Sequence, residues 1–315
     1  MNFEKKAIVG YTGFVGSNVY AASDFDAAYN TKNIQDAFGS NPDLLIYAGM
    51  RAEKFLANAN PNADYDLVLE AENNIEYINP KKLVLISTID VFKTPIDVDE
   101  NSVIETDGLN AYGYNRYRLE NWVRENFSDA LILRLPGLLG KNIKKNFIYD
   151  FINVIPSMLR PEKLEELSLR DKSLKDYYVK QNNGFYKVKS LDSVEKDILK
   201  QKFKGLGFSA LNFTDSRSSY QFYNLSRLWK DIQIALDANL TLWHPATEPV
   251  SAGELYEYLT GETFVNEIAA MPAKYDYKTI HAELFGGQNG YVDTKENVMD
   301  EIKKFVEENS HAILS

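Results

Sequence analysis

The sequence predicts a doubly wound α/β fold, in which helices cover both faces of a parallel β-sheet. Short apolar runs alternate with helical patterns between Ala7 and Gly140, and this alternation is typical of consecutive βαβ units. The first apolar run is followed at once by three evenly spaced glycines and the start of a helical pattern. Since the pattern changes after Gly140, we expect a first domain over residues 1–142 and a smaller, mixed lobe over residues 143–315.

Two segments refine these boundaries. Residues near 207–240 combine a short strand pattern with a helical one, and they could return to the first domain. Residues of about 160–205 are rich in lysine, glutamate and aspartate, and we interpret them as a charged insertion in the lobe. The chain has no internal repeat and no low-complexity linker, which argues against independent tethered domains.

Composition excludes several classes of function. The net charge of −10 argues against general binding to nucleic acids or anionic membranes. There are no cysteines and only three histidines, far apart in the sequence, so we expect no metal site. No uncharged apolar run is long enough to span a membrane. Because the first predicted strand begins within a few residues of Met1, with no signal peptide before it, we expect a cytoplasmic protein.

The three glycines mark the first candidate site. They follow the apolar run 7–9 and open a helix predicted over 13–22. Glycine here turns the chain tightly, lets the backbone approach a pyrophosphate, and packs the helix close to the sheet. The helix N-terminus also favours an anion. The pattern predicts a dinucleotide site, with an ordinary tight turn as the alternative. The predicted cofactor contacts are Gly10, Gly13, Phe14, Val15 and Gly16.

The end of the second strand bears on the type of dinucleotide. A short strand is expected over 26–30, and it ends where NAD-binding units usually place a carboxylate for the ribose 2′-hydroxyl. The residues here are Asn30, Thr31 and Lys32. An amide and an ammonium accommodate a 2′-phosphate better than a carboxylate does, so Asn30 and Lys32 favour NADP over NAD. An ordinary polar turn is the alternative.

The remaining elements follow in order. Helical patterns end near Pro80 and Phe127, and a hairpin is expected at 182–184. Continuous apolar runs predict buried strands over residues 43–49, 82–88 and 130–136. Ala48 and Gly49 are small residues at the end of the first of these strands, and we expect them to lie beneath the cofactor. A short strand over 220–223, a helix over 225–236 and a terminal amphipathic helix around 298–306 complete the prediction.

A candidate for proton transfer lies at the next strand ends. Thr88 ends a predicted strand, and Tyr112 and Arg116 share one face of a helix because they are four residues apart. A cation next to a phenol favours the phenolate and lowers a pKa that is about 10 when unperturbed. Tyr114 and Arg118 repeat the same spacing, so the spacing alone does not choose between the two tyrosines.

Together these motifs resemble the extended short-chain dehydrogenase/reductase family, which includes nucleotide-sugar epimerases, 4,6-dehydratases and 4-keto-sugar reductases. The sequence motif around Thr88 is most similar to that of the 4-keto-sugar reductases. The motifs that carry the resemblance are Gly10-x-x-Gly13-x-x-Gly16, Ala48-Gly49, Ser87-Thr88-x-x-Val91-Phe92, Tyr112-Gly-x-x-Arg116 and Arg134-x-x-x-x-x-Gly140. The resemblance implies a Rossmann-type fold with a substrate lobe, NAD or NADP as cofactor, a nucleotide-sugar substrate and a homodimer.

The resemblance also implies roles for individual residues. Tyr112 would be the acid/base, Thr88 its hydroxyl partner, and Arg116 would take the position of a lysine that binds the nicotinamide ribose; Pro136 would also contact the cofactor. Arginine keeps the charge of that lysine but has a larger, planar head.

Further departures concern the substrate. The dehydratases carry an Asp-Glu pair after the threonine, whereas this chain has Ile89-Asp90, which argues against dehydration. Gly137 stands where a substrate-binding asparagine is common. The predicted substrate contacts are Asp90, Gly137, Lys145 and Arg217. Lys145 in a solvated loop and Arg217 in a surface ion pair are the alternatives.

We therefore expect an NAD(P)-dependent oxidoreductase or epimerase that acts on a nucleotide-linked sugar. The alternative is an NAD(P)-binding protein with altered catalysis that serves as a sensor or partner-binding module. The departures at Arg116 and Gly137 motivate that alternative.

Overall fold

A computed structural model describes residues 3–311. The strands are β1 (Lys6–Val9), β2 (Ala27–Tyr29), β3 (Leu44–Tyr47), β4 (Leu83–Thr88), β5 (Leu131–Leu135), β6 (Gly137–Leu139), β7 (Met158–Leu159), β8 (Tyr178–Lys180), β9 (Tyr186–Val188), β10 (Ser219–Tyr220), β11 (Phe222–Asn224), β12 (Leu242–Trp243) and β13 (Val250–Ser251). The helices are α1 (Phe14–Ala21), α2 (Lys54–Ala59), α3 (Pro61–Ile78), α4 (Ala111–Asn126), α5 (Phe147–Asn153), α6 (Pro161–Ser168), α7 (Ser193–Gly205), α8 (Leu228–Asp237), α9 (Ala252–Thr260) and α10 (Lys295–His311).

A six-stranded sheet in the order β12-β5-β4-β3-β1-β2 forms the centre of the fold. Every pairing in it is parallel. The chain leaves β1 for β2 on one side and then returns to place β3 on the other side of β1. The strand order therefore reverses between β1 and β3, and ligands bind at such a reversal in open parallel sheets. The predicted doubly wound fold is confirmed.

The strands are apolar because both faces of the sheet are covered. On one face, Ile8 and Ile46 join a core that continues to Trp243. On the other face, their neighbours Val9 and Leu45 pack with α3 and α4. The sequence therefore shows continuous apolar runs in these strands instead of an alternation of apolar and polar residues.

The chain divides into two compact units. Within the described residues, the first contains residues 3–143, 219–250 and 274–299, and it holds the six-stranded sheet. The second contains residues 144–218, 251–273 and 300–311. Its core is formed by apolar residues between Leu159 and Leu206, and β7, β9 and β8 form an antiparallel sheet in it. The division into a dinucleotide-binding domain and a substrate lobe stays a prediction.

Some local expectations differ from the structure. The strand expected over 220–223 is two short strands, β10 and β11, separated by Gln221. The Gln221 side chain is buried and donates to the backbone carbonyls of Thr247 and Tyr277.

Within residues 3–311, no helix combines the length and apolar character needed to cross a membrane.

Candidate active site

The turn after β1 brings two segments of backbone into close contact. Gly10 has a φ of +87°, a conformation that other residues rarely adopt. A Cβ atom at Gly10 would lie 2.4 Å from the carbonyl oxygen of Ala48, and one at Gly16 would lie 2.1 Å from the carbonyl oxygen of Gly10. Both distances are too short for a side chain. The glycines therefore bring the start of α1, the end of β1 and the end of β3 together at the reversal of strand order.

The start of α1 is open to an anion. Gly13 precedes the helix and offers no capping side chain. The first N–H groups of a helix have no partner within it, and here they belong to Phe14, Val15 and Gly16. Because they lie at the positive end of the helix dipole, they suit a pyrophosphate. The contacts of these residues with a dinucleotide stay a prediction.

The most direct test of this turn is Gly16→Ala. We expect the added methyl group to cost about 1–3 kcal/mol through overpacking and to weaken NAD(P)H binding by about tenfold or more, because the Gly10 carbonyl must move. Fluorescence titration with NADPH and NADH measures the binding. Gly205→Ala is the matched control, since a Cβ there meets nothing within 4 Å. Equal affinity in the two variants would contradict a cofactor site at the turn.

The residues after β2 form a compact turn. The Asn30 side-chain oxygen accepts the N–H of Lys32 at 2.9 Å, and the Asn30 N–H donates to Asn33 at 2.8 Å. Lys32 is exposed. The structure is thus compatible with both alternatives for residues 30–32: an ordinary polar turn, and a turn whose exposed Lys32 ammonium could contact the 2′-phosphate of NADP.

Tyr112 is held at the start of α4. Asn110 caps the helix by accepting the N–H of Gly113 at 3.1 Å, and Asn58 accepts the N–H of Tyr112 at 2.9 Å. The Thr88 side chain lies near enough to the phenol to lower the pKa of Tyr112. Since β4 and β3 are neighbours in the sheet, Thr88 and Tyr112 lie at the same edge as Ala48.

The alternative pair, Tyr114 and Arg118, has different surroundings. Tyr114 is 40% exposed, and Arg118 donates to the hydroxyl of Tyr65. Tyr112, in contrast, is buried at 6% exposure. The structure therefore brings Tyr112, not Tyr114, together with Thr88.

Burial raises the pKa of the Tyr112 phenol above its usual value. The charge of Arg116 and a hydrogen bond with Thr88 lower it, whereas the carboxylates of Asp90 and Asp64 raise it, and the net result is a raised pKa. The guanidinium carbon of Arg116 lies 4.6 Å from the centre of the Tyr112 ring. The cation that the sequence predicted beside the phenol is present, but two carboxylates oppose it.

Arg116 is bound on its far side by Asp64 of α3. Its two terminal nitrogens donate to the two carboxylate oxygens at 2.9 and 3.0 Å, and one of them also donates to the carbonyl of Arg51 at 2.6 Å. Asn115 donates to the same carboxylate at 3.0 Å. Both Arg116 and Asp64 are buried, at 3% and 6% side-chain exposure. The terminal nitrogens that the prediction assigned to a cofactor ribose are thus engaged by protein groups.

Asp90 lies in the turn after Thr88 and has two partners that the sequence analysis did not predict. Its Oδ1 atom lies 2.9 Å from the ammonium of Lys54 and accepts the hydroxyl of Tyr275 at 2.9 Å. Its N–H donates to the Thr88 hydroxyl at 3.2 Å. The acid is therefore part of the group around Thr88.

A buried ion network lies beneath this edge. Glu120 is fully buried and accepts from Arg134 at 2.7–3.1 Å and from the Ser87 hydroxyl at 2.6 Å. Arg134 lies 3.3 Å from the ring of His244. Burial, followed by the charge of Arg134, lowers the pKa of His244 to about 3. The network holds the end of β4 through the hydrogen bond of Ser87 to Glu120, and His244 is neutral at neutral pH because its pKa is lowered.

The remaining predicted site residues are Pro136, Gly137, Lys145 and Arg217. Pro136 follows β5, whose last residue, Leu135, pairs with Thr88. A Cβ at Gly137 would lie 2.7 Å from the carbonyl oxygen of Gln221, because Gly137 pairs with Phe222 in the β6–β11 ladder. The glycine thus serves strand pairing.

Lys145 and Arg217 lie in the second unit. Lys145 is exposed. Arg217 forms ion pairs with Asp215 at 2.7 Å and with Glu267 at 3.1 Å. These pairs correspond to the ion-pair alternative for Arg217.

No protein-family model matches the sequence, and no curated protein matches it. Solved structures do match. A dTDP-4-dehydrorhamnose reductase from Bacillus anthracis in complex with NADP has a TM-score of 0.61 at 16% identity, over 97% of this chain and 99% of that one. This likeness shows a common fold. It is shared with a UDP-glucose 4-epimerase from Thermotoga maritima with UDP-glucose, at a TM-score of 0.62 and 13% identity over 99% of this chain and 100% of that one.

A third structure with this fold is a UDP-glucuronic acid 4-epimerase from Bacillus cereus in complex with NAD, with a TM-score of 0.59 and 12% identity over 98% of this chain and 99% of that one. The similar proteins thus include reductases and epimerases of nucleotide sugars, and the two Bacillus structures hold NADP and NAD. The resemblance in the motifs is confirmed at the level of the fold.

Proposed function

We propose that this chain is an NAD(P)-dependent oxidoreductase or epimerase of a nucleotide-linked sugar. The observation that carries the proposal is the placement of Tyr112 and Thr88 at the same sheet edge as the Gly10 turn. The similarity to reductases and epimerases of nucleotide sugars supports the substrate class. The predicted homodimer remains part of the proposal.

The cofactor would lie across the ends of β1 and β3. Gly10 and Gly16 would hold the turn in its close-packed shape, and the first N–H groups of α1, which follow Gly13, would bind the pyrophosphate. Asn30 and Lys32, with no carboxylate between them, favour the 2′-phosphate of NADP. When bound, the nicotinamide donates or accepts the hydride.

Tyr112 would move the proton of the substrate hydroxyl. In the reducing direction its O–H donates to the developing alkoxide, and in the oxidising direction its oxygen accepts the proton. Thr88 donates to the same substrate oxygen and orients it. Asp90, next to Thr88, would accept a hydrogen bond from a neighbouring sugar hydroxyl.

The test is Tyr112→Phe. We expect kcat to fall by at least about 100-fold, while NAD(P)H binding is retained, because the ring stays and only the proton donor is lost. The assay follows nicotinamide absorbance with a panel of nucleotide sugars, and mass spectrometry detects isomerised products. Tyr114→Phe is the matched control. Unchanged turnover in Tyr112→Phe would refute the role of this residue.

The ion pair between Arg116 and Asp64 favours a second candidate, a protein that binds NAD(P) without turnover and acts as a sensor or partner-binding module. Such a protein would bind NADPH tightly by calorimetry and show no absorbance change with any nucleotide sugar in the panel. Turnover that depends on Tyr112 would exclude it.

A further inference from the structure

The cation beside Tyr112 is largely neutralised by another residue. Arg116 forms a two-point ion pair with Asp64 at 2.9 and 3.0 Å, and both side chains are buried. A buried pair of this geometry acts on its surroundings as a dipole more than as a positive charge. The phenol therefore has less electrostatic support than the sequence spacing of Tyr112 and Arg116 suggests.

Asp90 adds a negative charge close to the same phenol. Its charge raises the pKa of Tyr112, as does that of Asp64. Without a further cation, the surroundings of the phenol would hold two carboxylates and one guanidinium. Such a net negative charge opposes the phenolate that proton transfer in the oxidising direction requires.

Lys54 supplies the missing positive charge. Its ammonium lies 2.9 Å from Oδ1 of Asp90, with side-chain exposures of 43% for Lys54 and 19% for Asp90. Lys54 begins α2, and the same short helix carries Asn58, which accepts the Tyr112 N–H at 2.9 Å. One helix thus fixes the backbone of the tyrosine and neutralises the acid beside it.

Building on the proposed function, we propose that Lys54 is a positioning residue for the reaction. Its ammonium neutralises Asp90, and this compensates for the positive charge of Arg116 that the ion pair with Asp64 cancels next to Tyr112. Lys54 acts through Asp90 and does not touch the reacting atoms. Besides α2, four segments contribute polar or charged groups near the phenol. These groups are Arg116 of α4, Asp64 of α3, Thr88 and Asp90 at and after the end of β4, and Tyr275 after Lys274.

Tyr275 does not replace Lys54 in this role. Its hydroxyl donates to the same Oδ1 atom of Asp90 at 2.9 Å, and burial raises the pKa of this phenol far above its usual value. It therefore stays neutral and carries no charge to offset the carboxylate. Tyr275 orients the acid, and Lys54 neutralises it.

The test compares three variants with one control. Lys54→Gln removes the charge, Lys54→Arg keeps it, and Lys54→Gln combined with Asp90→Asn removes both members of the pair. Lys93→Gln is the matched control, because Lys93 is an exposed lysine whose ammonium lies 3.3 Å from the backbone carbonyl of Asp107 and forms no ion pair with a carboxylate of residues 3–311. The readouts are NMR titration of ¹³Cζ-labelled tyrosine and the pH profile of kcat.

In Lys54→Gln we expect the pKa of Tyr112 to rise by about one unit and kcat at neutral pH to fall roughly three- to tenfold. Lys54→Arg should keep the wild-type values, and the double variant should lower the pKa again because the acid is also gone. The resonance is assigned by its loss in Tyr112→Phe. The NMR titration needs no substrate, so it tests Lys54 even if the proposed activity fails.

Two outcomes would overturn the proposal. One is a Tyr112 titration in Lys54→Gln that matches the wild type and Lys93→Gln. The other is a rise in the KM for NADPH with an unchanged Tyr112 titration, since it would place Lys54 in direct contact with the cofactor.

Discussion

Glu120→Ala is expected to lower the free energy of unfolding by about 3–5 kcal/mol. Glu120 is fully buried and accepts three hydrogen bonds from the Arg134 guanidinium, which is itself buried. Its removal leaves that guanidinium uncompensated in a site with little water, and His244 at 3.3 Å is held neutral and cannot replace the carboxylate. Urea denaturation followed by circular dichroism measures the change.

The control for this variant is Glu125→Ala on the same helix. Glu125 is exposed, and a surface carboxylate usually contributes less than about 1 kcal/mol. A loss in Glu120→Ala as small as that of the control would mean that the network is hydrated in solution. Glu120→Gln should recover part of the stability, because the amide oxygen still accepts from Arg134.

Asp64→Ala is also expected to lower the free energy of unfolding by about 3–5 kcal/mol. Arg116 would lose both ionic hydrogen bonds while its side chain stays only 3% exposed, and Asn115 would lose its carboxylate partner at 3.0 Å. Because the guanidinium also lies against the Tyr112 ring, we expect the variant to disturb the tyrosine as well as the fold. Thermal unfolding and NADPH binding report the two effects separately.

Asp66→Ala is the matched control, since Asp66 is an exposed residue of the same helix. A double variant, Asp64→Ala with Arg116→Leu, completes the cycle. We expect it to be more stable than Asp64→Ala alone, because a buried charge without a partner costs more than its replacement by an apolar group. A double variant that is less stable than the single one would show that Arg116 stabilises α4 without Asp64.

Most of the central sheet could be predicted from the sequence because its strands are continuous apolar runs. The run expected over 82–88 is β4 (Leu83–Thr88), and the helix expected from Tyr112 to Phe127 is α4 (Ala111–Asn126). The short helices were harder. The six residues of α2 contain Phe55 and Leu56, both of which are exposed, so the apolar pattern carries little information about this helix.

Within the candidate site, the sequence predicted the residues that follow strand ends or share a helix face. Thr88 and Tyr112 are of this kind. Asp64 and Tyr275 were missed because hydrogen bonds join them to Arg116 and Asp90 across 52 and 185 residues. An arginine on the inner face of a helix does signal that a carboxylate is needed nearby, but many acidic residues of this chain could have supplied it.

The pairing of Gly137 with Phe222 limits how this protein could be redesigned. Changing Gly137 to asparagine would place its Cβ 2.7 Å from the Gln221 carbonyl oxygen. Gln221 cannot easily move aside, because its side chain binds Thr247 and Tyr277. A side chain at position 137 would therefore need compensating substitutions in the segments that hold Gln221, Thr247 and Tyr277.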